Sequence, residues 1–513
     1  MIKKILLILF LACALQGFSQ KKTLNIIDFG AIADGKTKNT VAIQNAIDKA
    51  NQMGGAVVLI PSGNFLTGVL HLKSNVELHL SATAILLAST SRTDYGPSKE
   101  VSALITAKNQ HNIAITGKGI ITGQSVELLK DIYVMLNAGT LQDDTWKTVN
   151  PWHQMRTTES NRPKLIEFTN CEGIQIKGIS LKDGLCWIQD YRNCSNILID
   201  SIKVESNSYW NNDGLDVTDS ENVKITNCFV NAADDGICLK SEDRTRGCKN
   251  ILIAGCKVRS SASAIKLGTA SRGGFKKITI RDITVYDTYR SAIALEAVDG
   301  GVLEDVDVRN IKATNTGNAI LIRLGHRNKD SVVSSLRNVY IGNIIASVPL
   351  SKPDKGYTME GPELTFPHNI IPSSITGLLG HPVENVVLEN IKITYEGGGN
   401  KLTAYFPLDS LNSITENEAG YPEFSMFGDL PVWGLYVRHA KGLMMKNIQL
   451  SYQKEDYRPA CAFNDVDKLN IIKMEIPTAK TPPVVVFRKV TNLTTEKLQF
   501  PFEKEKAMLI MKN

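Results

Sequence analysis

One pattern of apolar and polar positions recurs along most of this chain: a turn residue, an apolar residue, a variable one and a second apolar one. It reads Asn112-Ile113-Ala114-Ile115, Gly173-Ile174-Gln175-Ile176, Asn196-Ile197-Leu198-Ile199 and Asn222-Val223-Lys224-Ile225. It returns at Asn250-Ile251, Lys277-Ile278, Asp305-Val306, Asn338-Val339, Asn385-Val386, Gly442-Leu443, Lys468-Leu469 and Asn492-Leu493. Such alternation behind a turn residue predicts short β-strands. From Ile174 to Val306 the strands start 23 to 28 residues apart. That period marks a solenoid, in which each repeat forms one coil and equivalent residues stack. A β-sandwich has strands of similar length but no reason to keep this register. The chain is therefore predicted to be all-β, a single solenoid with two or three strands per coil and one continuous Val/Ile/Leu core.

A second phrase lies on another face of the same coils. Six stretches overlay, opening at Asp183, Asp213, Asp235, Ser263, Ser291 and Asn318, with spacings of 30, 22, 28, 28 and 27. Their fourth positions are Cys186, Asp216, Cys238, Lys266, Ala294 and Leu321. Their sixth positions are Ile188, Thr218, Lys240, Gly268, Glu296 and Arg323. Alternation sends Leu215, Val217, Ile237 and Leu239 into the core and is expected to turn the fourth and sixth positions outward. Stacked strands lie about 4.8 Å apart, so Asp213 and Asp235 become vertical neighbours with Asp234 beside them.

The ends and interruptions differ. Lys3 and Lys4, an apolar run from Ile5 to Leu15 and the polar stretch to Gln20 read as a secretory signal over residues 1–20, its apolar part too short to span a bilayer. Thr40 to Met53 has helical apolar spacing and stops at Gly54-Gly55, giving an N-terminal cap over 21–55 with one amphipathic helix. The solenoid is expected over 56–505, interrupted near 123–164, 327–336, 347–383 and 394–440. The long interruptions carry Trp146, Trp152, Tyr357, Tyr405, Tyr421 and Trp433, which suit either sugar stacking or packing within the loops. The triplet Gly35-Lys36-Thr37 lacks the upstream glycine of a phosphate loop.

Composition narrows the function. A net charge of +6 with 21% charged residues provides no basic block, so no nucleic-acid partner is expected, and no segment after the signal reads as a membrane span. Of the eight cysteines after the signal, Cys171 with Cys194 and Cys228 with Cys256 fall at repeat-equivalent positions, which suits stacked buried thiols. No spacing fits zinc, so no metal and no cofactor is expected. The protein is expected to be an exported monomer, periplasmic or secreted.

Three carboxylates this close cannot all ionise freely, so at least one should hold its proton near neutral pH. An acid beside an ionised carboxylate is the equipment of glycosidic cleavage. Asp-Asp-Gly and Asn-Asp-Gly are also good turn sequences, and the residues alone leave catalysis and turn chemistry equally open.

Longer motifs bear on that choice. Asp28-Phe29-Gly30-Ala31-Ile32-Ala33-Asp34-Gly35 and Thr116-Gly117-Lys118-Gly119-Ile120-Ile121-Thr122-Gly123 resemble sequences of pectin-degrading right-handed β-helices. Asn211-Asn212-Asp213-Gly214-Leu215-Asp216 and Ala233-Asp234-Asp235 resemble the signatures of glycoside hydrolase family 28, the polygalacturonases. The likeness covers residues from about 24 to 345. It implies a right-handed parallel β-helix that hydrolyses a polysaccharide, pectin being the leading class, with inversion at the anomeric carbon. It also implies Asp234 as general acid and Asp213 and Asp235 as holders of the attacking water, with Asp216 in support. Stacked neighbours nevertheless lie nearer the roughly 5–5.5 Å of retaining enzymes than the roughly 6.5–9.5 Å of inverting ones.

The chain departs from that family at two places. Its Gly-His-Gly is Ala262-Ser263-Ala264, and its Arg-Ile-Lys is Ala294-Leu295-Glu296. Lys266 and Arg323 are expected either to bind a substrate carboxylate from shifted positions or to pair with Glu296. Lys240 and Ser263 complete the candidate site. Two rivals stay open: a polysaccharide lyase using Lys240, Lys266 or Arg323 as base, and a non-catalytic carbohydrate-binding β-helix.

Overall fold

The computed structural model describes residues 22–148, 150, 155–357 and 360–511. The signal-like segment and Trp152 lie outside the described residues. The described strands join one sheet system of 33 members whose ladders run parallel and wind into a right-handed β-helix. An isolated antiparallel bridge joins Leu378 and His381.

The turn-apolar phrase becomes one continuous column. Ile113, Ile174, Ile197, Val223, Ile251, Ile278, Val306, Val339, Val386, Leu443 and Leu469 pair in succession. Every residue opening that phrase, from Asn112 to Asn492, has a positive φ between 51 and 74°. A left-handed residue bends the chain sharply, and asparagine and glycine tolerate it best. The asparagines also stack amide on amide: Asn250 donates to Asn222 at 2.7 Å and Asn385 to Asn338 at 3.2 Å.

The strand Thr23–Asn25 stacks on Ala56–Ile60, and the helix Thr40–Gln52 buries Ile43, Ala46, Ile47 and Ala50 against the end of the coil. At the other end Met508–Met511 pairs with Val485–Arg488. The eight cysteines are unpaired and buried. The first interruption is partly a helix, Ser125–Asn137, seated through Leu128, Ile132 and Leu136. The last builds a small core of its own around Leu411, Ile414, Leu430, Val432 and Tyr436.

Two expectations need correction. The copy opening at Asp183 is out of register: Asp190, not Cys186, stands opposite Asp216. The slip is four residues, from Cys186 to Asp190, and the apolar pattern does not reveal it. Nor are the fourth and sixth positions open surface. Asp216, Lys240, Lys266, Glu296 and Arg323 lie off the apolar core yet are all buried, because loops and neighbouring coils cover that face.

Candidate active site

Asp213 and Asp235 open the adjacent strands Leu215–Thr218 and Ile237–Ser241, in which Leu215 faces Ile237. Glycine after each aspartate makes the stacking possible. A β-carbon on Gly214 would lie 2.4 Å from Val230, and one on Gly236 2.4 Å from Val258. Carboxylate oxygens of Asp213, Asp234 and Asp235 come within 4.8 Å of one another. Asp213 and Asp235 are 3% and 4% exposed, while Asp234 is only partly buried and is the member that solvent reaches.

Each buried carboxylate is held by a lysine. Lys240 donates to Asp213 at 2.8 Å and to Asp216 at 2.5 Å, with its ammonium 4.3 Å from the centre of the Trp187 ring. Lys266 donates to Asp235 and to the Tyr421 hydroxyl, both at 3.0 Å. Ser263 contributes its backbone N–H, 3.1 Å from Asp235 Oδ1. With Lys240 on Oδ2, Asp213 Oδ1 has no hydrogen-bond partner among the described residues. The two ammonium groups stand where a bound cation would otherwise neutralise these acids. Metal-like groupings exist at Asp213, Asp234 and Asp235 and at Asp213, Asp216 and Cys238.

The electrostatics separates the three aspartates. Burial, then the charges of Asp213 and Asp235, push Asp234 up to about 7. Asp235 suffers the same burial, but Lys266, Lys240 and Arg290 outweigh it and hold its carboxyl below the usual range. Burial drives Asp213 well up, with Lys240 opposing and Asp216 and Asp235 adding. Asp216 rises to about 6 by burial against the pull of Lys240. Lys240 and Lys266 stay protonated: burial works against their charge, and the adjoining carboxylates more than reverse it.

Glu296 and Arg323 do not form the pair that was one expectation. Glu296 is buried, accepts from the Thr269 hydroxyl at 3.2 Å, and is raised by burial to about 7. Arg323 donates to the carbonyls of Glu416 at 2.7 Å, Asn417 at 3.1 Å and Gly377 at 3.4 Å. It fastens the last interruption to the coil. Lys266 likewise turns to Asp235 and not to Glu296.

The sequence reading missed Arg290, Glu423 and Trp187. In the column just before the aspartate pair, register places Asp234, then Ala262, then Arg290 on successive coils. One more column of the overlay would have exposed it. Arg290 Nε lies 3.3 Å from Glu423, and its guanidinium lies 5.7 Å from the centre of the Tyr421 ring. Tyr421, named for its ring, is 49% exposed beside Lys266, whereas Trp433 is core and Trp146 and Tyr357 are buried.

The sequence model of Glycosyl hydrolases family 28 matches residues 51–351, more than half of the chain. The chain belongs to that family. A probable polygalacturonase of Vitis vinifera is 27% identical over 311 residues, 59% of this chain and 57% of the relative. An exo-poly-alpha-D-galacturonosidase of Dickeya chrysanthemi is 23% identical over 61% of this chain and 58% of its own length. The match thus spans under three fifths of those relatives. A hyperthermoactive exopolygalacturonase from Thermotoga maritima shares the fold with a TM-score of 0.56 at 21% identity, covering 73% of this chain and 87% of that one. Within family 28, this member carries Ala262-Ser263-Ala264 and Ala294-Leu295-Glu296 in place of the histidine and the Arg-Ile-Lys. Among the described residues, no helix is long and apolar enough to cross a membrane.

Proposed function

We propose that this protein is an exported hydrolase of glycosidic bonds in an acidic, pectic type of polysaccharide, acting with inversion. The observation that carries this reading is the division of the three aspartates. Asp234, near pH 7 and reached by solvent, gives its proton to the leaving oxygen; Asp235, kept ionised by Lys266, takes one from water. The unpartnered Oδ1 of Asp213 supplies the second contact to that water. Retention would require a carboxylate free to reach the sugar carbon, and both buried ones are tied to lysines at 2.8 and 3.0 Å. Inversion follows from that restraint, short as the separations are.

Arg290, two coils from Asp234 and therefore about 10 Å away, stands across the small Ala262 and offers a cation for a uronate carboxylate. Elimination is the weaker alternative, because an eliminating base must be unprotonated and both site lysines are held charged. Pectic and algal polysaccharides assayed for reducing ends, with the first product's anomer followed by proton NMR, test the reading. New reducing ends of inverted configuration support it. Unsaturated, ultraviolet-absorbing ends would assign a lyase, and oligosaccharide binding without any cleavage would assign a binding protein.

A further inference from the structure

Beyond Arg290 the same column reaches Gly317, where the backbone of Tyr289 leaves no room for a side chain: a β-carbon would lie 2.0 Å from the Tyr289 carbonyl. Over this bare position the interruption near 347–383 and Phe424 line a half-open cavity of about 240 Å³, below the roughly 300–1,000 Å³ of drug-sized sites and suited to a single capped sugar unit. Its walls include Tyr289, Leu364, Phe366, Ile371 and Phe424. Tyr289 and Phe424 meet edge to face with ring centres 5.7 Å apart. They are the chain neighbours of Arg290 and Glu423, and the stacking of coils places the cavity about three coils or 14 Å from Asp234.

Its charge differs from that of the acid cluster. Lys352, at the cavity, is matched by Asp354 at 3.1 Å and Glu360 at 3.2 Å. His368 commits Nδ1 to the Asn369 carbonyl at 2.8 Å. Glu363 adds a carboxylate with no ion-pair partner among the described residues. A bare uronate here would meet apolar walls and a lysine already matched by two carboxylates, with the exposed Glu363 at the rim, and covering a charge without a partner is costly. An ester removes that charge and adds carbon for the rings to cover.

We infer that this cavity is a subsite for an ester-capped sugar residue lying a few residues along the chain from the cleaved bond. The inference rests on the hydrolase reading for the direction of the chain, and the cavity chemistry stands apart from it. The test compares one pectic oligosaccharide preparation before and after mild saponification, on the parent protein and on Phe366→Asp and Leu364→Ala. The parent is expected to show kcat/KM about tenfold higher on the esterified form, with that ratio falling toward one in both variants. Calorimetric binding of both oligosaccharides to Asp234→Asn separates the two ideas. Ester-dependent binding without hydrolysis by the parent would sink the hydrolase reading and keep the subsite. Hydrolysis with no ester preference, or a preference untouched by either variant, would overturn the subsite.

Discussion

Replacing Asp234 with asparagine tests the electrostatics and the chemistry in one protein. Burial and the neighbouring Asp213 and Asp235 hold this carboxyl at about 7 in the folded protein against an ordinary 3.8. The folded state therefore binds the proton more tightly than the unfolded chain, and ionising Asp234 costs stability. The gap corresponds to roughly 4 kcal/mol. Sharing of the charge with two coupled neighbours brings the expected gain for Asp234→Asn to about 2–4 kcal/mol above pH 7. The sign is fixed: below pH 4 aspartic acid and asparagine are both neutral and the variants match. The difference then opens between pH 4 and 7 and levels off. Asparagine keeps an oxygen for the Asp235 N–H, now at 2.9 Å, so the cluster need not rearrange. At about 2.1 cal/mol/K per residue, a chain of this length gains roughly 1 °C per kcal/mol, hence 2–4 °C in Tm at pH 8. Hydrolysis should fall at least about a hundredfold. Thermal melts at pH 4 and pH 8, with reducing-end assays on the same samples, read both effects. A lower Tm at pH 8, or activity within tenfold of the parent, would refute the reasoning.

Three further outcomes follow from the same geometry. Lys266→Met removes the largest of the charges that oppose the burial of Asp235 and leaves Lys240 and Arg290, so its carboxyl rises; the acid limb of the pH–rate profile should move to higher pH, with kcat/KM at pH 5 reduced about tenfold or more. In the parent, activity should decline as pH rises through about 7, where Asp234 loses its proton; a profile flat from pH 6 to 9 contradicts the assignment. Arg458→Ala strips the cation from Asp456, a pair at 2.9 Å with both side chains buried, and should cost about 3–5 kcal/mol by thermal melting while leaving the acid cluster's pH profile unchanged.

The coil was legible because its rule is local. A left-handed turn residue followed by alternating apolar positions recurs at each level, and Ile113 to Leu469 stack as that rule requires. The proximity of Asp213 and Asp235 followed from spacing, since 22 residues make one turn there. What escaped depended on contacts across the register. The slide at Asp183 arose because an apolar pattern cannot reveal extra residues between strands. Burial of Lys240 and Lys266 follows from acids on neighbouring coils and from Tyr421, which no period links to them. Arg323 looked like a site cation but serves two carbonyls of a distant loop and one on the next coil. Glu423 had no signal at all, because a loop carries no repeat.

Tyr421 and Glu423 also bear on where the working unit ends. The match to the family's sequence model ends at residue 351, yet these two side chains, reaching back to Lys266 and Arg290, come about 70 residues later. A shortened chain cut at that border would keep all three acids and expose their flank to bulk water. During synthesis, too, the acids emerge long before their cover, so the newborn spiral passes through a stage in which its chemistry is present but unshielded.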